Sequence, residues 1–232
     1  MKTALITGAS RGLGKALAAA LARQGWQLVL DARGGEALQS AAAELSKLTR
    51  VVAIPGDVAD ETHRLRLVEA ARQLGGLQVL VNNASILGPS PQPNLAEYPL
   101  DVLDRVYAVN TLAPLRLIQL ALPLLRQSHG RILNITSDAG VEAYEGWGGY
   151  GSSKAALEQL SHILAAEEPG VRVYWVDPGD MRTQMHQEAF PGEDISDRPL
   201  PEESVPGLLA LIEGDLPSRR YQAKRIAVQV GV

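Results

Sequence analysis

Ala4-Leu5-Ile6-Thr7-Gly8-Ala9-Ser10-Arg11-Gly12-Leu13-Gly14-Lys15-Ala16-Leu17 is the stretch that decides the fold. Ala4–Thr7 is a short apolar run with strand character, and Lys15–Gln24 is rich in Ala and Leu and helical. Between them, Gly8, Gly12 and Gly14 let the backbone turn sharply and bring it close to a pyrophosphate resting on the helix N-terminus. The spacing is Gly-x-x-x-Gly-x-Gly, not the Gly-x-Gly-x-x-Gly of many dinucleotide folds. Taken alone, three glycines after a strand also fit a tight turn. The strand–loop–helix setting favours the phosphate cradle.

Outward from this stretch, strand and helix patterns alternate. Strands are predicted at Gln27–Leu30, Val51–Ile54, Leu77–Val81, Arg131–Thr136 and Val171–Val176, with a last one at Arg225–Val230. Helices are predicted at Glu36–Leu48, Thr62–Leu74, Asp101–Gln127, Tyr150–Glu167 and Glu202–Ile212. The strands are near-continuous apolar runs, as parallel strands buried on both faces should be. This alternation predicts an α/β fold: a doubly wound, Rossmann-like parallel sheet of about seven strands with helices on both faces. Residues 1–232 read as one such domain, with a substrate loop around 181–206. Within it, Phe190–Pro206 is rich in Pro, Asp and Glu and fits either a solvated connection or a lid.

Composition narrows the function. The 232 residues are 46% apolar and 21% charged, which suits one core of ordinary size. A net charge of −4 and a pI near 5.6 offer no basic field for nucleic acid or an anionic membrane surface. No cysteine is present, so disulfides and thiolate chemistry are absent. His63, His129, His162 and His186 have no metal-ligand spacing, and no metal is expected. Polar residues interrupt each apolar run, so no membrane span is expected, and Met1–Thr7 lacks a signal-peptide pattern. The expected setting is the cytoplasm.

Tyr150 and Lys154 stand four residues apart in Tyr150-Gly151-Ser152-Ser153-Lys154, at the start of a predicted helix. That spacing puts a phenol and an ammonium on one face. A nearby cation favours the phenolate and is expected to lower the tyrosine's pKa, making it able to give and take a proton. Ser137, at the carboxyl end of the Arg131–Thr136 strand, can donate to a substrate oxygen.

Together these motifs resemble the short-chain dehydrogenase/reductase family, in its single-domain branch, from Lys2 to about Thr183. The resemblance implies a catalytic tetrad of Asn110, Ser137, Tyr150 and Lys154. Tyr150 would exchange a proton with the substrate oxygen, Lys154 would tune it and bind the nicotinamide ribose, and Asn110 would hold a water. It also implies cofactor contacts from Gly8, Ser10, Arg11, Gly12, Leu13 and Gly14 in the glycine loop. Further contacts are implied from Asp57 and Val58, the acidic segment after the third strand, and from Asn83, Ala84 and Ser85, where Ser85 stands in place of the family's glycine. Pro178, Gly179 and Thr183 match its segment beside the nicotinamide amide. The implied activity is hydride transfer between a nicotinamide and a carbonyl or secondary alcohol.

Two signals bear on the cofactor. Asp31, about 20 residues beyond the glycines, fits the ribose 2′-hydroxyl of NAD(H). In the family the discriminating acid falls one residue later, at Ala32 here, and one step of strand register turns Asp31 away. Arg33 and Arg11 suit a 2′-phosphate, so NADP(H) is favoured, with NAD(H) the alternative. In that alternative Arg33 pairs with Asp31. Substrate contacts are expected from Ile86–Pro93, Gly140–Gly149 and Met181–Phe190, where Tyr144 and Trp147 either stack on the substrate or pack their loop. The Tyr150–Glu167 helix and the Asp101–Gln127 region are the implied homo-oligomer contacts, in a dimer or tetramer. A non-catalytic dinucleotide sensor on the same fold is the competing function.

Overall fold

Alternation within the short apolar strands sets the architecture. In β1 (Thr3–Ile6), Ala4 and Ile6 join one apolar cluster, while Leu5 joins another on the opposite face. β2 (Gln27–Ala32) separates Leu28 and Leu30 from Val29 in the same way. Successive side chains point to opposite faces, so apolar runs bury both sides of the sheet. The computed structural model, in which residues 1–229 are described, continues this layer with β3 (Val51–Pro55), β4 (Val79–Asn82), β5 (Arg131–Ile135), β6 (Arg172–Asp177) and β7 (Arg220–Gln222). Among the described residues the sheet has seven parallel strands in the order β3-β2-β1-β4-β5-β6-β7.

The helices, in chain order, begin with α1 (Gly12–Arg23), α2 (Gly35–Leu45), α3 (Glu61–Gln73), α4 (Leu100–Tyr107) and α5 (Ala113–Ser128). They continue with α6 (Gly148–Glu167), α7 (Gln184–Ala189), α8 (Val205–Glu213) and α9 (Ala223–Gln229). Leu17 and Leu21 of α1, Leu38 of α2 and Leu208 of α8 pack on one sheet face. Leu67 of α3 with Leu117 and Leu125 of α5 pack on the other. The strand order reverses between β1 and β4, which opens a crevice at their carboxyl ends, where ligands bind in such sheets. The glycine loop leaves β1 there, and Asn83–Ser85 leave β4.

The expected architecture stands, with differences at four places. The strand expected at Arg225–Val230 is instead mostly α9, and the seventh strand is the shorter Arg220–Gln222; Val230 lies outside the described residues. Ala223 and Ile226, three apart and both buried, give that segment a helical face against α8. The helix expected at Asp101–Gln127 is broken by a π turn, Ala108–Leu112, between α4 and α5. Pro114 sits in the first turn of α5, where its missing N–H costs little. In the Met181–Phe190 segment lies α7, a helix the sequence pattern did not mark. Finally, the run Leu100–Ser128 has the length and composition of a membrane span, contrary to expectation. Its Leu117, Ile118, Ala121 and Leu125 are buried in the sheet core, so it is a core element of this fold.

Candidate active site

Two loops are welded together at the crevice. The Thr7 hydroxyl accepts from the backbone N–H groups of Asn83 and Ala84, each at 3.0 Å. The Asn83 amide donates to the Thr7 and Gly8 carbonyls at 2.8 and 3.1 Å. Gly8 has φ +66°, and a Cβ there would lie 2.9 Å from the Ala84 Cα, so a side chain would force the loops apart. Gly14 is required by contact alone: its Cβ would fall 2.4 Å from the Gly8 carbonyl oxygen. Arg11 is the N-cap of α1; its side chain makes no bond to the first N–H groups of the helix, and no acid lies in the first turn. The helix start is thus left with unpaired N–H groups and a positive dipole end suited to an anion.

A cleft of about 1270 Å³ runs along this weld. Its wall includes Gly8, Ser10, Arg11, Gly12, Leu13, Arg33, Asp57, Val58, Asn83, Ala84 and Ser85, and further along Tyr150, Lys154, Pro178 and Thr183. Gly14 and Gly179 shape it from behind: Gly14 packs on Gly8, and Gly179, at φ +75°, turns the chain after β6 with its N–H on Asp177 Oδ1 at 2.8 Å. The open loop, the uncapped helix start and the length of the cleft fit a dinucleotide.

The far end of the cleft differs from expectation in its charges. Asp31 is fully buried, and its carboxylate meets His63 Nε2 at 2.6 Å. Burial raises its pKa, and the His63 contact opposes that rise. Asp31 lies on the cleft lining with its carboxylate engaged by His63, and among the described residues Arg33 forms no ion pair with it. Arg33 stays exposed on the cleft wall. Arg11 donates to the Gln184 side chain on α7, bridging the cleft mouth. Asp57 accepts from the Ala59 N–H at 2.9 Å and from the Arg105 guanidinium. Burial works against its charge, but those two donors outweigh burial and hold the carboxyl below its ordinary range.

At the other end, α6 begins just before Tyr150 and carries it and Lys154 on one face. Tyr150 is 8% exposed and Lys154 2%. The Lys154 ammonium donates to the Ile135 carbonyl at 2.8 Å and lies 5.4 Å from the centre of the Tyr150 ring. The expected lowering of the tyrosine pKa is not what this buried pair delivers. Burial pushes the phenol up, the side chains of Ser85 and Ser137 oppose this, and the charges of Asp138 and Asp177 add to it. Burial also lowers Lys154 to about 8, while Glu158 pulls the other way. Taking both groups out of water favours the neutral form of each, and that outweighs their spacing.

The two remaining tetrad residues are both engaged. The side chain of Asn110, fully buried in the π turn, takes the Ile86 N–H at 2.9 Å and the Ser85 hydroxyl at 3.1 Å on its oxygen. Its amide donates to the Ile86 carbonyl at 2.9 Å and to the Ser153 hydroxyl at 3.0 Å. That fills the side chain's capacity, so Asn110 holds the Ser85–Ile86 loop against α6 and has no side-chain group left for a water. The Ser137 hydroxyl donates to Asp138 Oδ1 at 2.8 Å, and the Tyr144 hydroxyl donates to Asp138 Oδ2 at 3.1 Å. Ser137 must rotate from Asp138 to donate to a substrate. Trp147 lies edge-on to Tyr150 with ring centres 5.8 Å apart and packs on Phe190 at 5.9 Å. With Leu87 and Met185, Trp147 forms an apolar cluster around the phenol.

A chain with this strand order, this glycine loop and this pair can be set beside known proteins. The profile of the family described as short chain dehydrogenase matches residues 2–194. The chain belongs to the short-chain dehydrogenase/reductase family. It is 38% identical to the rhamnolipids biosynthesis 3-oxoacyl-[acyl-carrier-protein] reductase of Pseudomonas aeruginosa, over 79% of this chain and 74% of that one. It is 36% identical to the sepiapterin reductase of Mus musculus, over 79% of this chain and 76% of that one. The structure of an alcohol dehydrogenase from the archaeon Thermococcus sibiricus, complexed with 5-hydroxy-NADP, superimposes with a TM-score of 0.86 at 30% identity, covering 96% of this chain and 95% of that one. As a short-chain dehydrogenase/reductase, the protein is an NAD(P)-dependent oxidoreductase.

Motif reading did not find Thr7, His63, Arg105 or Asp138. Thr7, His63 and Arg105 act through contacts far along the chain, and Asp138, beside Ser137 in sequence, carried a local signal.

Proposed function

We propose that the protein uses NADP(H) to reduce a small carbonyl compound, or to oxidise the matching secondary alcohol, with Tyr150 as the proton donor and acceptor. The observation that carries this reading is that Tyr150 and Lys154 line one end of a cleft whose other parts suit a dinucleotide, with the Ser137 side chain beside the phenol. The dinucleotide supplies the hydride. Tyr150, neutral and desolvated in its pocket, is in the form needed to donate a proton to an oxygen that becomes negative. Ser137 orients that oxygen once its hydroxyl leaves Asp138. Lys154 sits with its charge against the Tyr150 ring and lends it to the developing alkoxide site.

Support for NADP(H) comes from the far end of the cleft. Asp31 is occupied by His63, so the acid that would select a free 2′-hydroxyl is withdrawn, while Arg33 is exposed beside the cleft. For the substrate, the wall built by Trp147, Phe190 and Met185 favours an apolar or aromatic group beside the carbonyl.

The test is NADPH consumption against a panel of aliphatic and aromatic ketones and aldehydes, with Tyr150→Phe as the control. Turnover should drop by about a hundredfold or more in that variant, with NADPH binding retained. Undiminished turnover would remove Tyr150 from the chemistry. Tight NADPH binding with no turnover on any compound would favour a sensor.

A further inference from the structure

Beyond the family's matched region, β7 brings one side chain back to the site. The Arg220 guanidinium donates through Nε to both oxygens of Glu158, at 2.9 and 3.1 Å. Its Nη2 donates to the Ser137 carbonyl at 3.2 Å and lies 3.6 Å from Asp177 Oδ2. One cation thus ties together α6, the end of β5 and the end of β6. Glu158 is 8% exposed and one helical turn beyond Lys154 on α6. A buried carboxylate so placed acts on the ammonium with little screening by water unless a cation offsets it.

We propose that Arg220 is a positioning residue for the Tyr150–Lys154 pair: by holding Glu158 and the Ser137 carbonyl, it draws the Glu158 carboxylate to itself and offsets part of that charge at Lys154. Among the described residues, Glu158 on α6 acts on Lys154, Asp138 after β5 and Asp177 on β6 act on Tyr150, and Arg220 on β7 pairs with Glu158 and lies near Asp177. The inference rests on the acid–base reading of Tyr150 and Lys154. With Arg220 in place, burial dominates at Lys154 and the value falls to about 8. Without it, the bare Glu158 carboxylate would favour the ammonium, and the value would rise.

Lysine side-chain NMR titration of the cofactor-free protein reads this directly, with the Lys154 signal assigned by its loss in Lys154→Arg. Arg220→Met should raise the Lys154 titration by about one pH unit. The double variant Arg220→Met/Glu158→Gln should bring it back, and Arg220→Lys should hold it near the wild-type position. The falling alkaline limb of kcat/KM for carbonyl reduction should move to higher pH in Arg220→Met and return in the double variant. A merely structural arginine would lower activity and leave both readings in place, and a Lys154 titration unmoved in Arg220→Met would overturn the proposal. Should that variant not fold, Arg220→Gln is read in its place: a raised Lys154 titration that Glu158→Gln reverses supports the proposal, and an unmoved one overturns it. Because the titration needs no turnover, it separates this inference from the functional reading. Full activity in Tyr150→Phe sinks that reading, and an unmoved Lys154 sinks this one.

Discussion

At the scale of single residues, the cofactor end of the cleft turns on which way Asp31 points. With Asp31 held by buried His63, Arg33 stands as an exposed cation on that wall. A guanidinium reaching a 2′-phosphate makes charge-assisted hydrogen bonds worth roughly 1.5–3 kcal/mol each. Arg33→Ala should therefore weaken NADPH binding about tenfold or more while leaving NADH binding nearly unchanged. Arg11→Ala should cost less, since Arg11 already donates to Gln184. Fluorescence titration with both dinucleotides checks this, and equal losses for the two would contradict the assignment. Strand register predicts that Asp31 is not the ribose acid, but it does not name what the carboxylate meets instead. That partner was not legible, because His63 lies 32 positions away and nothing local marks the pair.

At the scale of elements, the sequence pattern located β1 to β6 and most helices. It failed at the last strand, where the apolar, partly β-branched run within Arg225–Val230 reads as a strand but tertiary packing makes Ala223–Gln229 a helix. The packing of α8 on α9 explains the choice. A Cβ at Gly207 would lie 1.9 Å from the Ala223 carbonyl oxygen, so the two helices meet backbone to backbone. Gly207→Ala should push them apart and cost about 1–3 kcal/mol, seen as a lower urea midpoint. An unchanged midpoint would mean that the helices do not meet so closely. The break in the α4–α5 helix has a similar cause. Asn110 carries four hydrogen-bonding positions, and the π turn sets them against the Ser85–Ile86 loop and Ser153.

At the scale of the whole molecule, stability and site chemistry are linked through burial. Lys154 titrates near 8 in the folded chain against an ordinary 10.5. Between those values the unfolded chain holds more protons, so this residue makes stability rise with pH across that window. Tyr150, raised from its ordinary 10, acts in the opposite sense above that pH. Urea unfolding from pH 8 to 10 should show a rising contribution in the wild type that Lys154→Met lacks. Identical slopes would contradict the low Lys154 value.

The sequence by itself determined the doubly wound sheet, the glycine cradle and the Tyr150–Lys154 pairing, because strand and helix periods and short spacings are local properties. Only the tertiary structure decided the direction of the Tyr150 pKa, the withdrawal of Asp31 and the tie from Arg220. Desolvation depends on everything packed around a group, and those contacts join residues that the chain keeps far apart.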